Sequence, residues 1–346
     1  MNQLNRRDFI SSAALAAAAL HANRALAQSG NSPQPPASGT VPMRPFGKSE
    51  SATQVSALGL GGYHLGSASS QQEATEIVAR AMDAGVNFFD NCWDYHDGES
   101  EERLGQALKG RRQRAFVMTK VCTHGRDKAT AMRQLEQSLR RLQTDYLDLW
   151  QIHEVVYFND PDLIFAPNGA AEALLEAKRQ GKVRHIGFTG HKDPSIHLKM
   201  LSHDFPFDSV QMPLNCLDAT YRSFEQQVLP EVNRRGIAAL GMKSFGGIGE
   251  IIVGGAATPH EALRYAMSLP VTTTISGVDS LDVLEQNLAI ASNFKPMSSE
   301  EMQSLRERCR GLAADGRFEL FKSTKKYDGK EGREQHMYPS AEELPA

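Results

Sequence analysis

Three things are scarce in this 346-residue chain, and each shortage excludes something. Cysteine stands only at positions 92, 122, 216 and 309, with no Cys-x-x-Cys pair and no cysteine–histidine cluster along the sequence, so no zinc, iron–sulfur or other metal site is expected. Long apolar runs are missing too. The longest, Ile10 to Leu20, falls well short of the roughly 20 residues that span a bilayer, so no membrane anchor is expected. Nor is there an excess of positive charge. The 38 Lys and Arg are set against 41 Asp and Glu, a net charge of -3, which gives no basic field for nucleic acid or an anionic membrane. The expectation is a soluble protein acting on small molecules.

The N-terminus has its own character. Residues 1–27, MNQLNRRDFISSAALAAAALHANRALA, place two arginines before a short Ala-rich stretch that closes on Ala25-Leu26-Ala27. That order reads as a cleavable export signal, and Arg6-Arg7 followed by Asp8, Phe9 and Ile10 resembles the twin-arginine type, whose route carries folded proteins. A periplasmic location and engagement of the twin-arginine export machinery follow as expectations. Removing 1–27 would take away Arg6, Arg7, Arg24 and Asp8 and move the net charge from -3 to -5. Residues 28–42 are rich in Ser, Gly and Pro and read as a flexible linker.

From Met43 onward, short apolar runs alternate with amphipathic helical stretches. VSALGL, VNFFD, AFVMTK, YLDLWQIH, VRHIGFTG, FDSVQM, IAALGM and TTTISGV are strand candidates, and each precedes a helix candidate. Glycines 85, 181 and 236 punctuate helix ends. Eight βα units in roughly 250 residues predict an α/β fold, an eight-stranded parallel β/α (TIM) barrel over 43–312 followed by a C-terminal tail, 313–346. An open doubly wound sheet is the alternative.

A barrel of this kind carries its chemistry at the C-terminal ends of the strands. Asp90, Lys120, His153 and Gln211 each close an apolar strand candidate, and Tyr95 follows Asp90 by five residues. A phenol has an ordinary pKa of about 10, and a buried ammonium beside it would stabilise phenolate and lower that value. Lys120 is therefore expected to tune Tyr95 as a proton donor, Asp90 to hold Lys120, and His153 to orient a substrate oxygen. The set suits reduction of a carbonyl.

The stretches GLGGYHLG, FDNCWDYHDGESEERLGQAL, VMTKV, LRRLQTDYLDLWQIH, VRHIGFTGH, VQMPLN and GVDSLDVLEQNLA together resemble the aldo/keto reductase family, in family order over about residues 43–295. The resemblance implies a barrel, a nicotinamide cofactor across its mouth and a catalytic tetrad on Asp90, Tyr95, Lys120 and His153. It places cofactor contacts at Gly62, Tyr63, Thr189, Gln211, Met242, Lys243, Ser244, Phe245, Gly247 and Asn287. Two departures accompany it: Gly190 stands where the family commonly has Asn, and Met242 where it commonly has a stacking aromatic. The family expectation is NADP(H). NAD(H) stays open because residues 271–294 contain no Lys or Arg to meet a 2′-phosphate. The implied activity is NAD(P)H-dependent reduction of a small aldehyde or ketone, or oxidation of the alcohol, by hydride transfer. The alternative is a non-catalytic nicotinamide-binding sensor or partner-binding barrel.

Other features have plainer readings. Glu99, Glu101 and Glu102 read as favourable charges at a helix start, with Ser100 near its cap. Trp93 reads as substrate-pocket wall. His191, His197 and His203 do not share a helical face, which argues against a metal site. GLGGYHLG lacks the third glycine of a dinucleotide fingerprint. In the tail, Phe318, Phe321 and Tyr327 belong either to a loose end or to a flap over the barrel mouth.

Overall fold

The structure, a computed structural model, describes residues 40–47, 53–122, 127–340 and 343. The export signal read in 1–27 lies outside the described residues, as does most of the linker.

The described residues begin with an antiparallel pair, β1 (Met43–Pro45) and β2 (Gln54–Ser56), a hairpin in which Arg44 pairs with Val55. Eight further strands form a closed barrel in sequence order: β3 (Leu58–Gly61), β4 (Phe88–Asp90), β5 (Phe116–Val121), β6 (Leu147–Ile152), β7 (Val183–Thr189), β8 (Ser209–Pro213), β9 (Ala238–Met242) and β10 (Thr273–Gly277). Each runs parallel to its neighbours, and β10 returns to β3 with Thr274 opposite Leu58. That closure makes the fold a parallel β/α barrel and rules out the open sheet.

One strand boundary differs from the expectation. The run VSALGL is not a single strand: Val55 and Ser56 belong to the hairpin, the N–H of Ala57 bonds Pro42 O at 2.7 Å, and the wall begins at Leu58. Apolar character is continuous there because both pieces are buried, so hydropathy alone does not show the break. The guanidinium of Arg44 donates to Val271 O and Met267 O at 2.8 Å each, fastening the hairpin beside the start of β10.

The two-residue period of the strands sorts their side chains into two cores. Phe88, Phe116, Met118, Leu149, Leu240 and Ile275 form one cluster with Phe46 of the hairpin, which fills the N-terminal half of the lumen. Phe89, Val117, Trp150, Ile152, Phe188 and Val210 join the other, between the strands and the surrounding helices. Those helices are amphipathic on the same logic. In Gln71–Asp83, Ala74, Ile77, Val78, Ala81 and Met82 are buried, Ser70 accepts from the N–H of Glu73, and Gly85 ends the run with a left-handed φ of 94°. Full burial of a side chain the size of Ile77 contributes about 1.5–3 kcal/mol. Among the described residues, no helix is long and apolar enough to cross a membrane.

Candidate active site

The parity that puts Phe88, Met118 and Leu149 in the lumen also puts Asp90, Lys120, Gln151 and His153 there, two or four residues further on, at the C-terminal mouth. Lys120 and Gln151 are register partners on β5 and β6. The chain leaves β4 through a tight turn at Tyr95–Gly98, where His96 and Asp97 take left-handed φ values of 52° and 55°. This turn brings Tyr95 back over the mouth.

Lys120 Nζ donates to Asp90 Oδ1 at 2.5 Å and to Asn91 O at 2.8 Å, and it lies 3.5 Å from the Tyr95 hydroxyl. The Tyr95 ring meets the His153 ring edge-on, with centroids 5.7 Å apart. All four expected tetrad residues therefore converge. Burial raises the Asp90 carboxyl above its ordinary pKa against the pull of Lys120. Burial, then the charge of Asp90, raise the Tyr95 hydroxyl well above its ordinary value. The sequence reading expected Lys120 to lower it. The difference has a physical reason, since Lys120 gives its shortest contact to Asp90 and that carboxylate offsets its field at the phenol.

The expected cofactor positions line the same end of the barrel. Gly62 is packed so closely that a Cβ there would sit 2.5 Å from Asp90 O, and Tyr63, half exposed, meets the Tyr95 ring edge-on at 5.4 Å. Thr189 ends β7 opposite Gln211 of β8, and its Oγ1 lies 4.0 Å from Met242 Sδ at the end of β9. Gln211 Oε1 is buried and accepts no hydrogen bond. Beyond β9 the chain passes through left-handed conformations at Lys243, Gly246 and Gly249, in a loop where Ser244 is buried and Phe245 and Gly247 are half-buried. Burial lowers the Lys243 pKa. Asn287, on the helix Leu281–Ser292, donates to Ser276 Oγ at 3.1 Å and leaves a buried Oδ1 without a donor.

The aldo/keto reductase family model matches residues 57–249. The chain belongs to the aldo/keto reductase family. It is similar to aldo-keto reductase YhdN of Bacillus subtilis (strain 168), with 28% identity over 205 residues covering 55% of this chain and 59% of that protein. It is also similar to the oxidoreductase YqkF of the same strain, 25% identical over 293 residues, covering 72% and 92% respectively. Among solved structures, aldo-keto reductase AKR11C1 of Bacillus halodurans in its holo form superposes with a TM-score of 0.65 at 25% identity, covering 78% of this chain and 96% of that one.

In this aldo/keto reductase the C-terminal segment is ordered over the mouth. Lys322 is buried and binds Asp218 Oδ1 at 2.6 Å in the loop after β8, as well as Glu319 Oε1 at 2.9 Å. Lys192, after β7, binds Asp328 Oδ1 at 2.6 Å, and the N–H of Gly329 donates to Glu154 Oε2 at 2.5 Å in the loop after β6. Tyr327 packs against Gly247, donates to Glu250 Oε1 at 2.6 Å, and with Phe321 lies within 6 Å of Lys243 Nζ. The segment so spans four consecutive βα loops. A Cβ on Gly329 would lie 3.4 Å from Asp94 Oδ2, which places this residue beside the loop that carries Tyr95.

Several residues have roles that sequence reasoning did not assign. The indole of Trp93, expected in the pocket wall, donates to Gln137 Oε1 at 2.7 Å and carries the Arg141 guanidinium 5.6 Å from its ring centre, both from the helix Lys128–Arg141. Glu101 is fully buried rather than a solvated helix-start charge. It accepts from Thr119 at 2.5 Å and pairs with Arg141 at 3.2 Å. Ser100 is inside the helix Glu99–Ala107, whose cap is Gly98, and donates to Gly62 O at 2.6 Å. His191, His197 and His203 go separate ways, to Asp328 at 3.8 Å, Gln211 O at 3.4 Å and the Phe165 ring at 4.0 Å. The cysteines form a grouping that their linear order conceals. Residues 92 and 122 are 30 apart in sequence, yet Cys92, Cys122, Asp94 and His153 bring one ligand atom each to within 4.8 Å of one another. Only the adjacency of β4, β5 and β6 produces this cluster, and linear spacing does not show it.

Proposed function

We propose that the protein reduces a small aldehyde or ketone, or oxidises the corresponding alcohol, at the expense of a nicotinamide dinucleotide, with Tyr95 as the general acid and base. The observation that carries this reading is the Lys120 ammonium held between Asp90 at 2.5 Å and the Tyr95 hydroxyl at 3.5 Å at the barrel mouth. As a member of its family the chain is an NAD(P)-dependent oxidoreductase.

The residues present fit the cofactor. Gln211 Oε1 and Asn287 Oδ1 are buried acceptors without donors, suited to the carboxamide NH2 of nicotinamide and the amino group of adenine. Lys243, Ser244 and the amides up to Gly247 would hold the pyrophosphate. When bound, the dinucleotide supplies or takes the hydride. NADP(H) is the reading that family membership favours. NAD(H) is its competitor, because 271–294 lack a cation for the 2′-phosphate.

The chain's own residues manage the proton. Tyr95, kept protonated by burial and by Asp90, is poised to donate to a carbonyl oxygen. Lys120 then stabilises the phenolate left behind, and Asp90 holds the ammonium in place. His153 orients the oxygen. The segment around Tyr327 to Gly329 would limit substrate size. Changing Tyr95 to Phe should abolish turnover while cofactor affinity, read by nucleotide fluorescence, is retained. Unchanged turnover would overturn the assignment, whereas cofactor binding without turnover by the wild-type protein across a broad carbonyl panel would favour the sensor reading.

The export proposal rests on Arg6-Arg7 and the Ala-rich stretch alone. Mass spectrometry of protein from the periplasm, reading its N-terminus and any bound nucleotide together, tests it. An intact N-terminus confined to the cytoplasm would count against it.

A further inference from the structure

We propose that Cys92, Cys122, His153 and Asp94 form a binding site for a thiophilic divalent cation of the Zn2+ class, built against the tetrad. The donors come from three successive βα junctions: Cys92 and Asp94 from the loop after β4, Cys122 from the residue after β5, and His153 from the residue after β6. Three of these residues are buried and Asp94 is half-buried.

The spacing suits one ion. Cys92 Sγ lies 3.7 Å from Cys122 Sγ, the two sulfurs lie 3.1 and 3.3 Å from His153 Nδ1, and Nδ1 lies 3.6 Å from Asp94 Oδ1. Tetrahedral zinc with ordinary Zn–S, Zn–N and Zn–O bonds requires edges of about 3.8 Å between sulfurs, about 3.6 Å from sulfur to nitrogen and about 3.3 Å from nitrogen to oxygen. These four edges match to within about 0.5 Å, and the two sulfur–oxygen edges lie within 4.8 Å.

Cys92 Sγ also donates to Lys120 O at 3.7 Å, while the imidazole nitrogen that both thiols and the carboxylate face has one lone pair or one proton to offer. Asp94 Oδ1 is shielded from solvent and accepts no hydrogen bond in this arrangement. A cation serves all four donors together. Two sulfurs and one nitrogen select Zn2+ over Mg2+ or Ca2+, which require oxygen ligands. Binding displaces the two thiol protons to solvent, so the site with its ion carries two thiolates, one carboxylate and a neutral imidazole.

There is a consequence for His153. A cation on Nδ1 leaves Nε2 as the only N–H of the ring, which fixes the tautomer that donates through Nε2. The binding site stands apart from the reductase reading, and only this effect on His153 rests on it.

The full chain, dialysed under a phosphine reductant against Zn2+ and then against metal-free buffer, should retain about one equivalent by elemental analysis. Cys92→Ala and Cys122→Ala should each lose it, while Cys216→Ala and Cys309→Ala retain it. Co2+ in place of Zn2+ should give visible ligand-field bands and thiolate charge-transfer absorption, both absent from Cys92→Ala. Three results would overturn the site: no retained Zn2+ in the wild-type protein, wild-type stoichiometry in the Cys92→Ala/Cys122→Ala double variant, or displacement of Zn2+ by equimolar Mg2+. Turnover of the metal-free protein is measured separately, so a failure of the reductase reading leaves the metal result intact.

Discussion

Lys120 Nζ and Asp90 Oδ1 are 2.5 Å apart, and their side chains are only 1% and 6% exposed. The pair joins the ends of β4 and β5 inside the barrel mouth, where neither charge has access to water in place of its partner. Removing one member leaves the other buried and uncompensated, so Lys120→Met should destabilise the protein by about 3–5 kcal/mol, and the Asp90→Asn/Lys120→Met double variant should recover part of that loss. Urea unfolding of the four proteins checks it. Strictly additive effects would show that the two charges are not coupled.

Gly62 supplies a second prediction. Its Cβ would fall 2.5 Å from Asp90 O and 2.8 Å from Asn91 Cγ, and backbone at that distance has to move. Because Asn91 O and Asp90 both bind Lys120, Gly62→Ala should displace the tetrad and lower kcat by roughly 10–100-fold while the chain remains folded. Steady-state kinetics beside a thermal melt separates the two effects, and an unchanged kcat would show that the mouth absorbs the methyl group.

The ion cluster of the C-terminal segment should leave a pH signature. Lys322 faces two carboxylates, Asp218 and Glu319, and burial raises the Glu319 carboxyl from its ordinary 4.5 to about 7. Between those values the folded protein holds a proton that the unfolded chain has released. This contribution to stability is fully present below about 4.5 and is lost as pH rises through about 7. Glu319→Gln cannot ionise, so its stability relative to the wild type should improve as pH is raised across that window. Urea midpoints measured at several pH values test this, and parallel curves would be the contrary result.

Phe321 is fully buried beside Lys243 and anchors the same segment. Phe321→Ala should cost about 3–5 kcal/mol in the stability of the region it anchors and hasten proteolysis between residues 313 and 340. Wild-type cleavage rates would mean that the ion pairs of Lys322 and Lys192 hold the segment unaided. A lowered KM for bulky carbonyl compounds should accompany the loosening.

Much of this architecture was legible in the chain itself. Alternating strand and helix periods pointed to the barrel, since eight amphipathic βα units can bury their apolar faces together by closing, and the pairing of β10 with β3 excluded the open sheet. Strand parity determined the tetrad: the period of two that sends Phe88 and Met118 inward also sends Asp90 and Lys120 inward at the mouth. Left-handed glycines at 85, 181 and 236 marked helix ends by a purely local constraint. What the tertiary structure decided was everything that depends on neighbours distant in sequence. It split VSALGL, because burial on both sides of Ala57 hides a turn from hydropathy. It raised the Tyr95 hydroxyl, because the fold lets Asp90 offset Lys120. It docked the C-terminal segment through Lys322 and Gly329 across four loops. It also gathered Cys92, Cys122, Asp94 and His153 at one point, because adjacent parallel strands align their ends whatever length of chain lies between them.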